Sequence, residues 1–141
     1  MKTIFIVLSL VCCVCLSACK PEFEEISYGH DACTQCKMTI IDKRYAVEVV
    51  TQKGRAYKFD DLACVKKYIQ EEHIDNNGLL VYVADYKNPN GKFIDAKKAF
   101  YLHWEMFKTP MNGDYAAFSS RETAKEVEKN NEELLTWDSL K

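Results

Sequence analysis

Two thiols and a thioether lie close together in this chain, in the stretch Cys33-Thr34-Gln35-Cys36-Lys37-Met38. Sulfur donors of this kind suit Cu(I), because soft ligands prefer a soft monovalent ion. Zinc accepts the thiolates but gains little from the thioether. Cys36 and Met38 are two residues apart, so they would project to the same face of an extended segment. The pattern therefore predicts a soft-metal site built from Cys33, Cys36 and Met38.

The amino terminus predicts export and a lipid anchor. A lysine follows the first methionine, and residues 4–16 form an apolar run. This run is shorter than the roughly 20 residues that span a bilayer and is typical of a signal peptide. Two small residues precede Cys19, so we expect removal of residues 1–18 and lipidation of Cys19. The alternative is a soluble secreted protein that is cleaved after Ala18.

The cysteine count argues against a disulfide framework. Of the seven cysteines, three leave with the signal peptide and Cys19 is consumed by the lipid. Cys33, Cys36 and Cys64 remain, and an odd number of thiols outside the cytoplasm leaves one unpaired in any pairing scheme. Metal ligation is the interpretation that uses all three, and a Cys33–Cys36 disulfide with Cys64 free is the alternative.

Composition indicates a globular protein that does not bind nucleic acid. Apolar residues make up 48% and aromatic residues 12% of the chain, which is enough to build a core. The formal net charge is -2 and no basic patch occurs, which argues against a nucleic-acid partner. Residues 19–27 are rich in glutamate and predict a short acidic tether between the lipid and the fold.

Residues 28–88 are predicted to form a first β-β-α-β module. Apolar alternation and a turn at Gly54 predict two strands, and Asp60 is expected to cap the following helix. The predicted elements lie at residues 45–51, 55–59, 61–72 and 79–82. Capping and the helix dipole explain the acidic pair Asp60-Asp61 without a catalytic role.

Residues 89–141 repeat the same order and predict a second module. The predicted strands and helix lie at residues 99–104, 114–118, 120–130 and 134–137. Ser119 and Glu122 match a capping box, because each can satisfy a free backbone donor at the start of the helix. Modules of about 60 residues are marginal alone, so we predict an α+β fold in which the two modules pack together.

Three further residues are candidate ligands. Cys64 lies in the first turn of the first predicted helix, where a thiolate is favoured, although a cysteine that fills the core is the alternative. Met111 lies in a predicted turn, where a buried methionine is not expected. His30 precedes the cysteine pair by three residues, with an ordinary surface histidine as the alternative. A cysteine loop, a hairpin and a helix start that carries Cys64 together predict a treble-clef-like metal module.

Several stretches distributed over nearly the whole chain after Cys19 carry a family resemblance. They are Tyr28-Gly29-His30-Asp31-Ala32-Cys33-Thr34-Gln35-Cys36-Lys37-Met38, Phe59-Asp60-Asp61, Phe93-Ile94-Asp95-Ala96, Ala99-Phe100-Tyr101, Thr109-Pro110-Met111 and Ala117-Phe118-Ser119. Together they resemble the nitrous oxide reductase accessory lipoprotein family, NosL. The resemblance implies two β-β-α-β domains similar to organomercurial lyase, with Cys36, Met38 and Met111 as ligands. Some relatives lack counterparts of Cys33 and Cys64.

The resemblance implies a lipid-anchored Cu(I) chaperone that is not an enzyme. Its partner would be nitrous oxide reductase, the enzyme of denitrification, or the machinery that assembles its copper sites. The expected location is the cell envelope, facing the periplasm, and Lys20 favours the outer membrane because it is not an inner-membrane retention signal. A structural zinc module, a thiol-disulfide redox protein and a general copper-binding or mercury-binding lipoprotein are the alternatives.

Overall fold

The structure is a computed structural model that describes residues 21–74, 78–129 and 131–140. The predicted signal peptide, Cys19 and Lys20 lie outside these residues. Within the described ranges, no helix has the length and apolar character needed to cross a membrane. The elements form a mixed α+β fold, as the sequence predicts.

A four-stranded antiparallel sheet forms the first part of the fold, with the strand order β2-β1-β3-β4. The strands are β1 (Val47–Val50), β2 (Ala56–Phe59), β3 (Leu80–Val83) and β4 (Ile94–Asp95). All four residues of the central strand β1 are buried, because both faces of the sheet are covered. The strand β4 comes from the region that the sequence assigns to the second module, and it extends the first sheet.

The helix α1 (Leu62–Glu71) covers one face of this sheet. Its N-cap is Asp61, whose carboxylate accepts a hydrogen bond from the Cys64 backbone N–H at 3.0 Å. The prediction that Asp60 caps the helix is therefore wrong by one residue. The shift leaves the Asp60 side chain available for other contacts.

The amino-terminal segment packs against the opposite face of the sheet. The ring of Phe23 lies 5.6 Å from that of Tyr82 and 4.8 Å from that of Phe93, measured between centroids. The backbone N–H of Glu24 donates to the Glu48 carboxylate on β1 at 2.7 Å. Part of the segment that the sequence assigns to the tether is thus held on the fold.

Glu48 is an acidic residue with no exposed surface in the middle of this sheet. Lys58 lies opposite it on β2, but the lysine forms ion pairs with Glu24 and Asp31 instead. Burial is the largest cause that raises the pKa of Glu48 from 4.5 to about 7. The ionised form of this side chain is therefore unfavourable in the folded protein.

A hairpin and a short helix form the second part of the fold. The elements are β5 (Phe100–His103), β6 (Tyr115–Phe118) and α2 (Arg121–Lys125). The predicted final strand is reduced to a single bridge between Leu135 and Tyr101. The β-β-α order is confirmed, while the helix ends at Lys125 and does not continue to about residue 130.

The start of α2 repeats the geometry of the start of α1. Ser120 is the N-cap, and its hydroxyl accepts a hydrogen bond from the Thr123 N–H at 3.2 Å. The predicted capping box of Ser119 and Glu122 is therefore wrong. In both junctions the cap is the second residue after a fully buried phenylalanine that ends a strand.

One hydrophobic core joins the two parts. Tyr101 and Ala117 of the hairpin belong to the same buried cluster as Val47 of the first sheet. The Tyr45 hydroxyl donates to the Phe107 carbonyl at 2.6 Å, and both residues are buried. Tyr45 and Phe107 belong to a second buried cluster. The shared core and this hydrogen bond together fix the loop between β5 and β6 relative to the first sheet.

Candidate metal centre

Cys33 and Cys36 lie in a tight loop that is closed by backbone hydrogen bonds. The Cys33 N–H donates to the Met38 carbonyl at 2.8 Å, and the Lys37 N–H donates to the Cys33 carbonyl at 3.0 Å. Lys37 has a φ of 65°, which is a left-handed conformation. The segment is thus a turn and not the extended stretch that the sequence predicts for Cys36 and Met38.

The loop is attached to the junction between β2 and α1. The Thr34 N–H donates to the Lys58 carbonyl near the end of β2 at 2.7 Å. Asp60 follows that strand directly, and Cys64 lies in the first turn of α1. These contacts bring four ligand atoms within 4.8 Å of one another, on Cys33, Cys36, Asp60 and Cys64.

This four-residue cluster is buried except at Cys36. Cys33, Cys64 and Asp60 are 0%, 1% and 2% exposed, and all three cysteines are free thiols. Cys36 Sγ lies 3.2 Å from Asp60 Oδ2 and donates to it. The other oxygen, Asp60 Oδ1, is buried and has no hydrogen-bond partner among the described residues. A buried oxygen in this state is unusual and indicates a place for a ligand or an ion.

Burial and hydrogen bonding keep the thiols of Cys36 and Cys64 protonated near neutral pH. Burial raises the pKa of Cys36 to about 11, and its hydrogen bond with Asp60 adds to the rise. Burial, followed by hydrogen bonding to Asp60, also raises the pKa of Cys64. Protonated thiols are weak nucleophiles, which argues against thiol-disulfide catalysis. A metal ion that binds here must displace protons from the sulfurs.

The two methionines predicted as ligands lie at the surface, and the backbone of one of them is hydrogen-bonded to the start of α1. Met38 and Met111 are 50% and 39% exposed. The Met111 N–H donates to Asp61 Oδ2 at 2.8 Å, while Asp61 Oδ1 caps the Cys64 N–H. A single carboxylate thus holds the Met111 turn, from the second part of the fold, against the helix that carries Cys64.

The turn that carries Met111 approaches α1 closely. A Cβ atom at Gly113 would lie 2.8 Å from the Ala63 Cβ, so the approach requires glycine. Within the turn, the buried Thr109 accepts a hydrogen bond on its hydroxyl from the Asp114 N–H at 2.9 Å. These contacts give the turn a fixed place beside the first turn of the helix.

Comparison with known proteins identifies the family of this chain. A family model for NosL matches residues 26–140, which is most of the sequence. The chain belongs to the NosL family. Its membership confirms the resemblance seen in the sequence, and it agrees with the prediction of a protein that is not an enzyme.

A solved NosL structure has the same fold. The crystal structure of the copper chaperone NosL from Shewanella denitrificans matches with a TM-score of 0.68 and 19% sequence identity, over 84% of this chain and 95% of that chain. The predicted α+β class is thereby confirmed, while the treble-clef-like description of the first module stays a prediction. Among curated proteins, no match was found.

The site of this NosL-family chain contains one residue that the sequence did not indicate. Asp60 was assigned to helix capping, but Asp61 is the cap and Asp60 faces the thiols. The predicted Cys33, Cys36 and Cys64 come together, and the backbone of Met111 is placed at the same end of α1. His30 is exposed and lies outside the cluster. The signal that could have indicated Asp60 is the pair of adjacent acidic residues at a helix start where one cap suffices.

Proposed function

We propose that this protein is a Cu(I) chaperone, anchored to a membrane through Cys19 and facing the periplasm. The observation that supports this role is the link from Met111 through Asp61 to Cys64. It holds the backbones of Met111 and Cys64, from the two parts of the fold, at one end of α1, where we propose that their side chains supply a thioether and a thiol. Such a soft donor set suits Cu(I). The copper is a cargo that is bound and released, and no bond of a substrate is made or broken.

Cys36, Met38 and Met111 are the proposed ligands for delivery, and we call them the outer position. Cys36 is half-buried and the two thioethers are exposed, so a partner protein can reach an ion held there. Three soft ligands leave room for a sulfur or imidazole of the partner to enter before a donor ligand leaves. Transfer then proceeds through a shared complex, and strong binding does not prevent delivery.

The proposed acceptor is nitrous oxide reductase or its copper-site assembly machinery, as the family resemblance suggests. The proposed lipid on Cys19 keeps the chaperone near its partners and raises their effective concentration. Because Phe23 is already packed on the sheet, the chain from Cys19 to the fold spans at most about 14 Å. The fold would therefore stay close to the membrane surface, and Lys20 favours the outer membrane.

Metal competition in the purified, reduced protein tests the proposed role. We expect Cu(I) to bind stoichiometrically against a colorimetric Cu(I) chelator and to displace Zn(II). Met111→Leu preserves size but removes the soft donor, so it should weaken Cu(I) binding with little change in melting temperature. Met106→Leu is the matched control, because Met106 is also exposed, at 61%, and is not a proposed ligand. Bound zinc that copper does not displace would contradict the proposal.

A structural zinc site is the second candidate, and the buried cluster is the observation that favours it. Three thiols and one carboxylate within 4.8 Å form a closed donor set that zinc accepts. Zinc in such a site would stabilise the fold, so its removal should lower the melting temperature strongly. Met111→Leu should not alter zinc binding, and this contrast separates the two candidates.

A further inference from the structure

Three buried donors lie behind the outer position and are not used by it. Cys33, Cys64 and Asp60 have almost no exposed surface, yet their ligand atoms all lie within 4.8 Å of Cys36 Sγ. Together with Cys36, the two buried cysteines place three sulfur donors in one small space, which suits a soft metal ion. A metal position is therefore a better explanation of the cluster than core packing alone.

The exposure of the sulfur-containing residues falls steadily from the outer position to the buried cluster. Met38 and Met111 are exposed, Cys36 is half-buried, and Cys64 and Cys33 are buried. Of these five residues, Cys36 alone belongs both to the outer position and to the four-residue cluster. A metal ion that stays bound to Cys36 can therefore have exposed partners on one side and buried partners on the other.

We propose that Cys33, Cys36 and Cys64 form an inner position for Cu(I), and that the ion passes between the inner and outer positions while it stays bound to Cys36. This inference rests on the proposed function, because the same ion and the same cysteine serve both positions. Three sulfurs that share one metal at about 2.3 Å lie about 4 Å apart. The cluster is close to this geometry and needs only a small contraction.

The inward step is an exchange of ligands. Copper keeps its bond to Cys36, loses its bonds to the two thioethers, and gains bonds to the sulfurs of Cys33 and Cys64. Each thiol that binds as a thiolate releases one proton to solvent, and the ion remains Cu(I). A carboxylate oxygen is a poor ligand for Cu(I), so Asp60 is a positioning residue. In the metal-free protein it accepts a hydrogen bond from Cys36 and so holds that thiol beside the other two sulfurs.

The two positions differ in what a competitor can reach. Copper in the inner position is shielded from solvent and bound by thiolates, whereas copper in the outer position is exposed and bound mainly by thioethers. We therefore expect a soluble chelator to remove the first equivalent of Cu(I) slowly, because the ion must return to the outer position before it is captured.

X-ray absorption at the copper edge and the rate of Cu(I) removal by excess chelator test the inner position. The test uses the protein loaded with one equivalent of Cu(I). In the double variant Cys33→Ala, Cys64→Ala, we expect copper to remain bound, with longer mean copper–sulfur distances and without the slow phase of removal. In Met38→Leu, Met111→Leu, we expect weaker Cu(I) binding, as for the single variants, but the copper that remains bound should keep the short distances of the parent. Val65→Ala, which empties a fully buried site beside Cys64, controls for loss of packing.

Asp60→Asn provides a test if the double cysteine variant does not fold, because it keeps every sulfur and nearly the same shape. We expect it to speed chelator removal by about tenfold or more, as loss of a partner that orients a metal ligand does. The inner position is refuted if removing Cys33 and Cys64 leaves the distances and the removal rate unchanged, or if zinc keeps the cluster while copper binds outside it. Failure of the parent to bind Cu(I) would instead refute the proposed function.

Discussion

Replacing Asp61 with alanine removes two hydrogen bonds, one that caps α1 and one that joins the two parts of the fold. The carboxylate of Asp61 is 1% exposed. Its Oδ1 accepts from the Cys64 N–H at 3.0 Å, and its Oδ2 accepts from the Met111 N–H at 2.8 Å. The substitution therefore removes the cap of α1 and also releases the turn that carries a proposed copper ligand.

The two lost hydrogen bonds each lower the free energy of unfolding by their own amount. Loss of an aspartate N-cap costs about 1 kcal/mol, and leaving the partly buried Met111 N–H without its partner costs about 1–3 kcal/mol more. We expect Asp61→Ala to lower the free energy of unfolding by about 2–4 kcal/mol, which is a fall of about 10 °C in melting temperature for a domain of this size. Asp61→Asn keeps one acceptor oxygen and should cost roughly half as much.

The assay combines thermal unfolding with Cu(I) competition titration. Ser120→Ala is the matched control, because Ser120 caps α2 in the same way but, among the described residues, its side chain is hydrogen-bonded to Thr123 and not to the Met111 turn. We expect the control to lose about 1 kcal/mol and to keep the copper affinity of the parent. Asp61→Ala should lose copper affinity to the level of Met111→Leu. Equal destabilisation by Asp61→Ala and Ser120→Ala, or an unchanged copper affinity in Asp61→Ala, would refute the positioning role of Asp61.

Three further predictions concern the buried acid, the anchor and the exposed thioethers. Burial raises the pKa of Glu48 from 4.5 to about 7, so its contribution to stability is present below pH 4.5 and is lost as the pH rises through 7. The free energy of unfolding of Glu48→Gln, measured in urea, should therefore equal that of the parent at pH 4 and exceed it at pH 8 by up to about 3 kcal/mol. Cys19→Ala should move the protein from the membrane fraction to the soluble fraction, and unchanged membrane fractionation would contradict lipidation. Met38→Leu should weaken Cu(I) binding in a chelator titration, whereas Met106→Leu should not.

Much of the fold could be predicted from the sequence, because periodic patterns carry the information. The alternation of apolar side chains in residues 45–51 and the apolar stripe of the first helix depend only on which face of each element is turned to the core. The residue at which a helix begins depends instead on which of two similar neighbours forms the capping hydrogen bond. Asp60 and Asp61, like Ser119 and Ser120, are chemically equivalent pairs, so only the end of the preceding strand decides which member becomes the cap.

Other features arise from contacts between distant residues that leave no local pattern. The bond from Glu24 to the buried Glu48 uses a backbone N–H, which any residue supplies. The strand β4 has only two residues, which is too short for a periodic signal. Asp60 faces the thiols only because the loop of Cys36 folds back onto the end of β2. For such contacts the sequence offers candidates, and three-dimensional structure is needed to choose among them.

Cu(I) affinity of Cys36→Ser is the most direct test of the central claim, because Cys36 belongs to both proposed copper positions. Serine has nearly the same shape as cysteine, but its hydroxyl is a hard, neutral donor that suits Cu(I) poorly. We expect competition titration with a Cu(I) chelator to show loss of tight binding in Cys36→Ser, while its melting temperature without metal stays close to that of the parent. Parent-like Cu(I) affinity in the folded Cys36→Ser protein would contradict a copper site centred on Cys36.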